Sequence, residues 1–174
     1  MALNPNLPPG TPQSVNTVPT PTWIFTPNTS AANTLRLNNT GQWPVFVGGA
    51  GCSQANGLAL PPGGSTVELR GVTATMYATS NVVVGSSVST LNAGYTAGTT
   101  SIVTASSVST SAGSVLVVGS TVNTGWEAVV VNAISASGTT VTTSAGLLMD
   151  HASGQIVYAG TAQPGQLRVV QGVV

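Results

Sequence analysis

Lysine is missing from this sequence altogether, and every charged side chain can be named: Arg36, Glu68, Arg70, Glu127, Asp150 and Arg168. Charged residues are 3% of the 174, against roughly a quarter in an average soluble protein. The shortage excludes whole classes of partner. Nucleic-acid binding needs Lys and Arg along a groove to displace counterions, and three arginines scattered along the sequence cannot supply that. One His, one Cys and three carboxylates, far apart in sequence, show no metal-ligand spacing. No cofactor motif is present either. A single cysteine, Cys52, has no second thiol to pair with, which fits a reducing cytoplasm. No run approaches the roughly 18 consecutive apolar residues of a membrane span. The opening MALNPNLPPG has neither a basic n-region nor an apolar h-region, so no secretory signal is expected.

What is present points to folded β structure. Hydrophobic residues make up 41% of the chain, enough apolar surface for a core. A length of 174 residues accommodates one large or two small domains. Uncharged surfaces near zero net charge tend to associate. The composition therefore suits a subunit packed into a larger assembly.

The stretch from Thr99 to Tyr158 carries short Val-, Ile- and Thr-rich runs separated by Gly, Ser and Asn. β-Branched residues pack well on a pleated strand, and the small polar residues release the chain into turns. The pattern predicts strands at Ser101–Thr104, Ser114–Val118, Glu127–Ile134, Thr140–Thr143 and Gln155–Tyr158. In the preceding region, Thr34–Asn38 alternates, with Leu35 and Leu37 opposite Arg36. Asn38–Gly41 then predicts a hairpin turn into Val45–Val47, because Asn and Gly accept positive φ. Pro61-Pro62-Gly63-Gly64 reverses the chain before Ser65–Leu69, and Ala74–Thr79 alternates again. Asn81 to Gly98 reads as a joint, with its Val82-Val83-Val84 run a candidate to close the first sheet, and Leu167–Val174 as a terminal strand that adds to a sheet, its own or a neighbour's.

Seven prolines between Pro5 and Pro27 forbid a helix or a central strand in residues 1–29. The expectation there is an extended arm, anchored by Trp23, Ile24 and Phe25 on a neighbouring surface. About 20 extended residues at roughly 3.1 Å each would reach about 60 Å. Deleting Met1–Thr22 would then leave the rest folded. The fold class expected is all-β: an arm (1–29), two small antiparallel β-sandwich or barrel domains (30–95 and 96–160), and a C-terminal strand (161–174).

Two sets of segments resemble structural proteins of tailed bacteriophages. In the first module they are NTLRLNNTGQWPVFVGG, LALPPGGSTVEL and ATMYATS. In the second they are TTSIVTASS, SVLVVG, GWEAVVVNAIS, SGTTVTTS and LLMDHASGQIVY. The resemblance implies a non-enzymatic virion component. The leading form is a decoration (cement) protein on the capsid exterior, assembled in the host cytoplasm. Its implied partners are the major capsid protein and further copies of itself, as a homotrimer, without nucleic acid, membrane or cofactor. The runner-up is a tail or fibre component, including a host-binding role.

Few residues invite other readings. Asp150-His151 in a Ser-rich chain raises a hydrolase, but no Gly-x-Ser-x-Gly elbow accompanies it. The simpler reading is a turn in which Asp150 or His151 bonds local backbone. Glu127, opening the longest apolar strand, is expected on the solvent face or paired with an Arg. Glu68 and Arg70 lie two apart on one strand face. With Arg168 and the Trp23–Phe25 anchor they are the candidate partner contacts.

Overall fold

The computed structural model describes residues 12–27, 33–120 and 125–173. Among the described residues no helix occurs, so none is long and apolar enough to cross a membrane. The strands are β1 (Pro12–Thr17), β2 (Thr22–Phe25), β3 (Asn33–Asn39), β4 (Val45–Gly48), β5 (Leu58–Leu60), β6 (Ser65–Arg70), β7 (Met76–Thr90), β8 (Ser101–Val103), β9 (Val115–Ser120), β10 (Gly125–Ile134), β11 (Thr140–Thr143), β12 (Ile156–Gln163) and β13 (Gly165–Val173). Two compact units are formed: Met1–Asn81 with Gln163–Val174, and Val82–Ala162.

In the first unit, one antiparallel sheet has the order β1-β13-β3-β6. The other places β5, β4, the start of β7 and β2 side by side. Alternation in β3 turns Leu35 and Leu37 inward and Arg36 outward. Val15, Leu167 and Val169 join those leucines from the same sheet. Ile24, Phe25, Val45, Val47, Leu60 and Ala78 meet them from the other sheet. Each Val, Leu, Ile or Phe among them, fully buried, contributes about 1.5–3 kcal/mol.

Four expectations change here. Residues 12–17 and 22–25 are strands of this chain's own sheets, not an arm laid on a neighbour. Pro12 is tolerated because it opens an edge strand, where a missing N–H breaks no central ladder. Truncation at Thr22 would remove β1, with its buried Val15 and Thr17, so it would not leave the unit intact. Residues 1–11 and 28–29 of the expected arm lie outside the described residues. The terminal strand does add to a sheet, this chain's own, where β13 sits between β1 and β3. The domain division falls at residue 81, not 95. Residues 81–90 of the segment read as a joint belong to β7, a strand of 15 residues that takes in the Val82-Val83-Val84 run. Its Ser- and Thr-rich end disguises it.

The turn after β3 is the fourth. It is no hairpin, because β3 pairs with β13 and β6 while β4 pairs with β5 and β7. No described non-glycine residue has positive φ, and neither does Gly41. The side chain of Asn39 holds the turn instead. Its Nδ2 donates to the carbonyls of Trp43 (2.9 Å), Leu60 (2.9 Å) and Pro61 (3.1 Å), and its Oδ1 accepts from Gly41 N–H at 3.0 Å. The Pro-Gly reversal is as expected, with Gly63 and Gly64 at φ +82° and +90°.

Close approach fixes the start of β13. A Cβ on Gly165 would lie 2.5 Å from both Thr17 Oγ1 and Val45 Cγ2. Overpacking of this kind costs about 1–3 kcal/mol. Gly165→Ala is accordingly expected to lower stability by about that amount, read as a reduced denaturant midpoint. An unchanged midpoint would contradict the packing described.

In the second unit, residues 82–90 of β7 lead into the order β12-β9-β10-β11-β8. β9 is buried on both faces, with Leu116 and Val118 in one cluster and Val115 and Val117 in another. That explains why its sequence is a continuous apolar run instead of an alternating one. The expected strands of this region fall within a few residues of β8 to β12, the largest difference being the extension of β12 to Gln163.

Candidate functional site

Glu127 begins the inward-facing row of β10 that continues with Val129 and Val131, all buried. It is neither solvated nor paired with an Arg. Its carboxylate accepts from Leu148 N–H (2.7 Å), Met149 N–H (3.3 Å) and His151 Nε2–H (2.8 Å). His151 Nδ1–H donates to Gln155 Oε1 at 2.7 Å. Both ring nitrogens thus face oxygen acceptors, an arrangement that favours the imidazolium, which donates on each side. Glu127 and His151 form an ion pair whose side chains are 1% and 0% exposed.

Burial works against the imidazolium. The hydrogen bonds to Glu127 and Gln155, with the charges of Glu127 and Asp150, outweigh it and hold the His151 pKa above its ordinary 6.5. The folded protein then binds more protons than the unfolded chain in the window opening near 6.5. Stability from this pair is complete below that pH and is lost as pH rises through the folded value. His151 is the only histidine. The thermal midpoint is therefore expected to fall from pH 6 towards alkaline pH, and His151→Gln to flatten that slope. A midpoint that rises across this window would contradict the assignment.

The hydrolase reading finds no support in this geometry. Asp150 Oδ1 accepts from Ala97 N–H at 2.8 Å instead of orienting the imidazole. Both His151 nitrogens are taken by Glu127 and Gln155, and among the described residues no serine hydroxyl bonds the ring. Asp150 does bond backbone, but not the local backbone expected: its partner lies 53 residues away. Cys52 is buried, and burial pushes its thiol up to about 11 against a weaker opposing hydrogen bond at Gly48. Such a thiol is unreactive at neutral pH.

The first unit holds a different kind of feature. The outward face of its β1-β13-β3-β6 sheet carries Arg36, Glu68, Arg70 and Arg168, all exposed. All three arginines of the chain therefore share one face of one sheet. Arg36 stands directly opposite Glu68 on β6. Arg168 pairs in register with Asn38, which makes it a diagonal neighbour of Arg36, about 7–8 Å away. Arg70 Nε donates to Glu68 Oε1 at 2.6 Å, with the two side chains 82% and 46% exposed. A pair this open contributes only about 0–1 kcal/mol. Arg36 and Arg168 have no ion-pair partner among the described residues. Three positive charges against one negative leave this face at +2.

Of the expected contacts, Glu68, Arg70 and Arg168 are brought together here, and Arg36 completes the group. Ile24 and Phe25 are corrected: at 0% and 5% exposure they belong to the unit's own core. A register shift between Trp23 and Phe25 turns the two consecutive side chains inward. Trp23 is partly buried against that core, its Nε1–H donating to Thr26 Oγ1 at 2.7 Å. No family model and no curated protein matches the chain.

Proposed function

We propose that this chain is a non-catalytic structural component of a phage virion, a decoration protein that docks on the outer capsid surface. The observation carrying this reading is the arginine face: a chain nearly without charge exposes all three of its arginines on one sheet. An arginine fork matches carboxylates in bidentate geometry. The complementary surface is an acidic patch on the major capsid protein. The two units serve in this reading as small β-sandwich domains, one docking and one displayed.

Self-association as a trimer belongs to the same proposal. In the second unit Val84, Trp126, Val130 and Tyr158 are only partly buried against the outer cluster around Val117. A half-covered apolar face of this kind suits further copies of the chain. The internal use of Glu127, His151 and Asp150 also favours a structural role over catalysis.

Stoichiometry tests the proposal. Purified chain added to capsid shells that lack it should co-sediment to saturation at hundreds of copies per shell. Saturation at a handful, or retention only on particles with tails, would point instead to a tail or fibre component.

A further inference from the structure

We infer that the first unit carries a binding cleft for a neutral saccharide, at the end of the unit where β1 and β13 meet the turn after β3. The cleft has a volume of about 520 Å³, within the roughly 300–1,000 Å³ of small-molecule sites. Trp43 stands in its wall, 40% exposed. Around it lie the amides of Asn16, Gln42 and Gln166, all on exposed residues. None of these three amides has a hydrogen-bond partner among the described residues.

The walls are rigid before any ligand arrives. Asn39 clamps the Trp43 carbonyl, as described above, and Thr40 N–H donates to the Gln166 carbonyl at 3.0 Å. A Cβ on Gly41 would lie 2.9 Å from Gln166 N, so the two segments touch at their backbones. Thr17, also lining the cleft, has a buried hydroxyl for which the fold supplies no partner. Preorganised walls lower the ordering cost of binding.

The lining chemistry selects the ligand. No titratable side chain lines the cleft, so a phosphate or carboxylate would meet no counter-charge. An indole face offers apolar contact, and free amides offer both donors and acceptors. A sugar ring presents that combination, an apolar C–H face bordered by hydroxyls. The cleft borders the arginine face, because Gln166 and its partner Asn16 lie on the same exposed side of the sheet as Arg168, two residues along β13, but no arginine lines it.

The test uses the full chain, isotope-labelled, with neutral tetrasaccharides of glucose, galactose and N-acetylglucosamine at millimolar concentration, and a sulfated oligosaccharide for comparison. At least one neutral sugar should shift the Trp43 indole and the Gln42 and Gln166 amide resonances. Trp43→Ala should weaken that binding roughly tenfold or more while the remaining spectrum stays folded. Gln42→Ala with Gln166→Ala gives a second variant that leaves the Trp43 backbone clamp untouched, and it too should lose affinity. The inference is overturned if no neutral sugar moves these resonances, if binding survives both variants, or if only the sulfated sugar binds.

Discussion

Replacing Glu127 with alanine is expected to destabilise the protein by about 3–5 kcal/mol, the usual consequence of removing one partner of a buried ion pair. The change strands three donors at once: the His151 imidazolium and the N–H groups of Leu148 and Met149. Among the described residues the two N–H groups and His151 Nε2 make no other hydrogen bond. With about 4–8 °C per kcal/mol for a unit of this size, the second unit's melting midpoint should drop by more than about 10 °C. Glu127→Gln keeps a carbonyl oxygen but no counter-charge, so it should lose less stability while bringing the His151 pKa down. Glu68→Ala, which removes an exposed pair, should change stability by under about 1 kcal/mol. Calorimetry on the three variants checks the order. An alanine variant within 1 kcal/mol of the parent would mean the pair is not the structural anchor described.

The second large effect concerns docking. Arg36→Glu with Arg168→Glu converts the face from +2 to −2 without touching a buried side chain. Like charges placed across an interface cost several kcal/mol, so attachment to shells should weaken by roughly a hundredfold or more. Parent attachment should also weaken as salt rises, since the Debye length falls from about 10 Å at 0.1 M to about 3 Å at 1 M. The variant should keep the parent's melting midpoint, which separates lost docking from lost folding. Equal attachment by parent and variant would remove the arginine face from the mechanism.

The sequence made some of this legible and hid the rest for physical reasons. Strands with strong local patterns were readable: the alternation of Thr34–Asn38 and the apolar run of β9 need no distant information. β1 and β2 were hidden by their prolines, which argue against strands in general but not against edge positions. The second half of β7 was hidden because its exposed Ser and Thr residues resemble a loop. The discontinuous first unit depends on β13 returning to lie between β1 and β3, a pairing between opposite ends of the chain.

The sites follow the same division. That Arg36 points away from Leu35 and Leu37 is local and was readable. That Arg168 is its diagonal neighbour is not, because it requires the β13–β3 register. Glu127 faces inward with Val129 and Val131, and the parity of β10 contained that signal. What the parity did not contain was its partner, His151, 24 residues on and outside the named strands. The Trp43 cleft joins the ends of β1 and β13 to a turn, so no single segment announces it.

The central claim is that this chain is displayed on a capsid as a structural subunit. The most direct measurement is electron microscopy of virions labelled with antibody raised against the purified chain. The account predicts label spread over the outer surface of the head, many sites per particle. Label confined to the tail or its tip, or no label on intact virions, would contradict it.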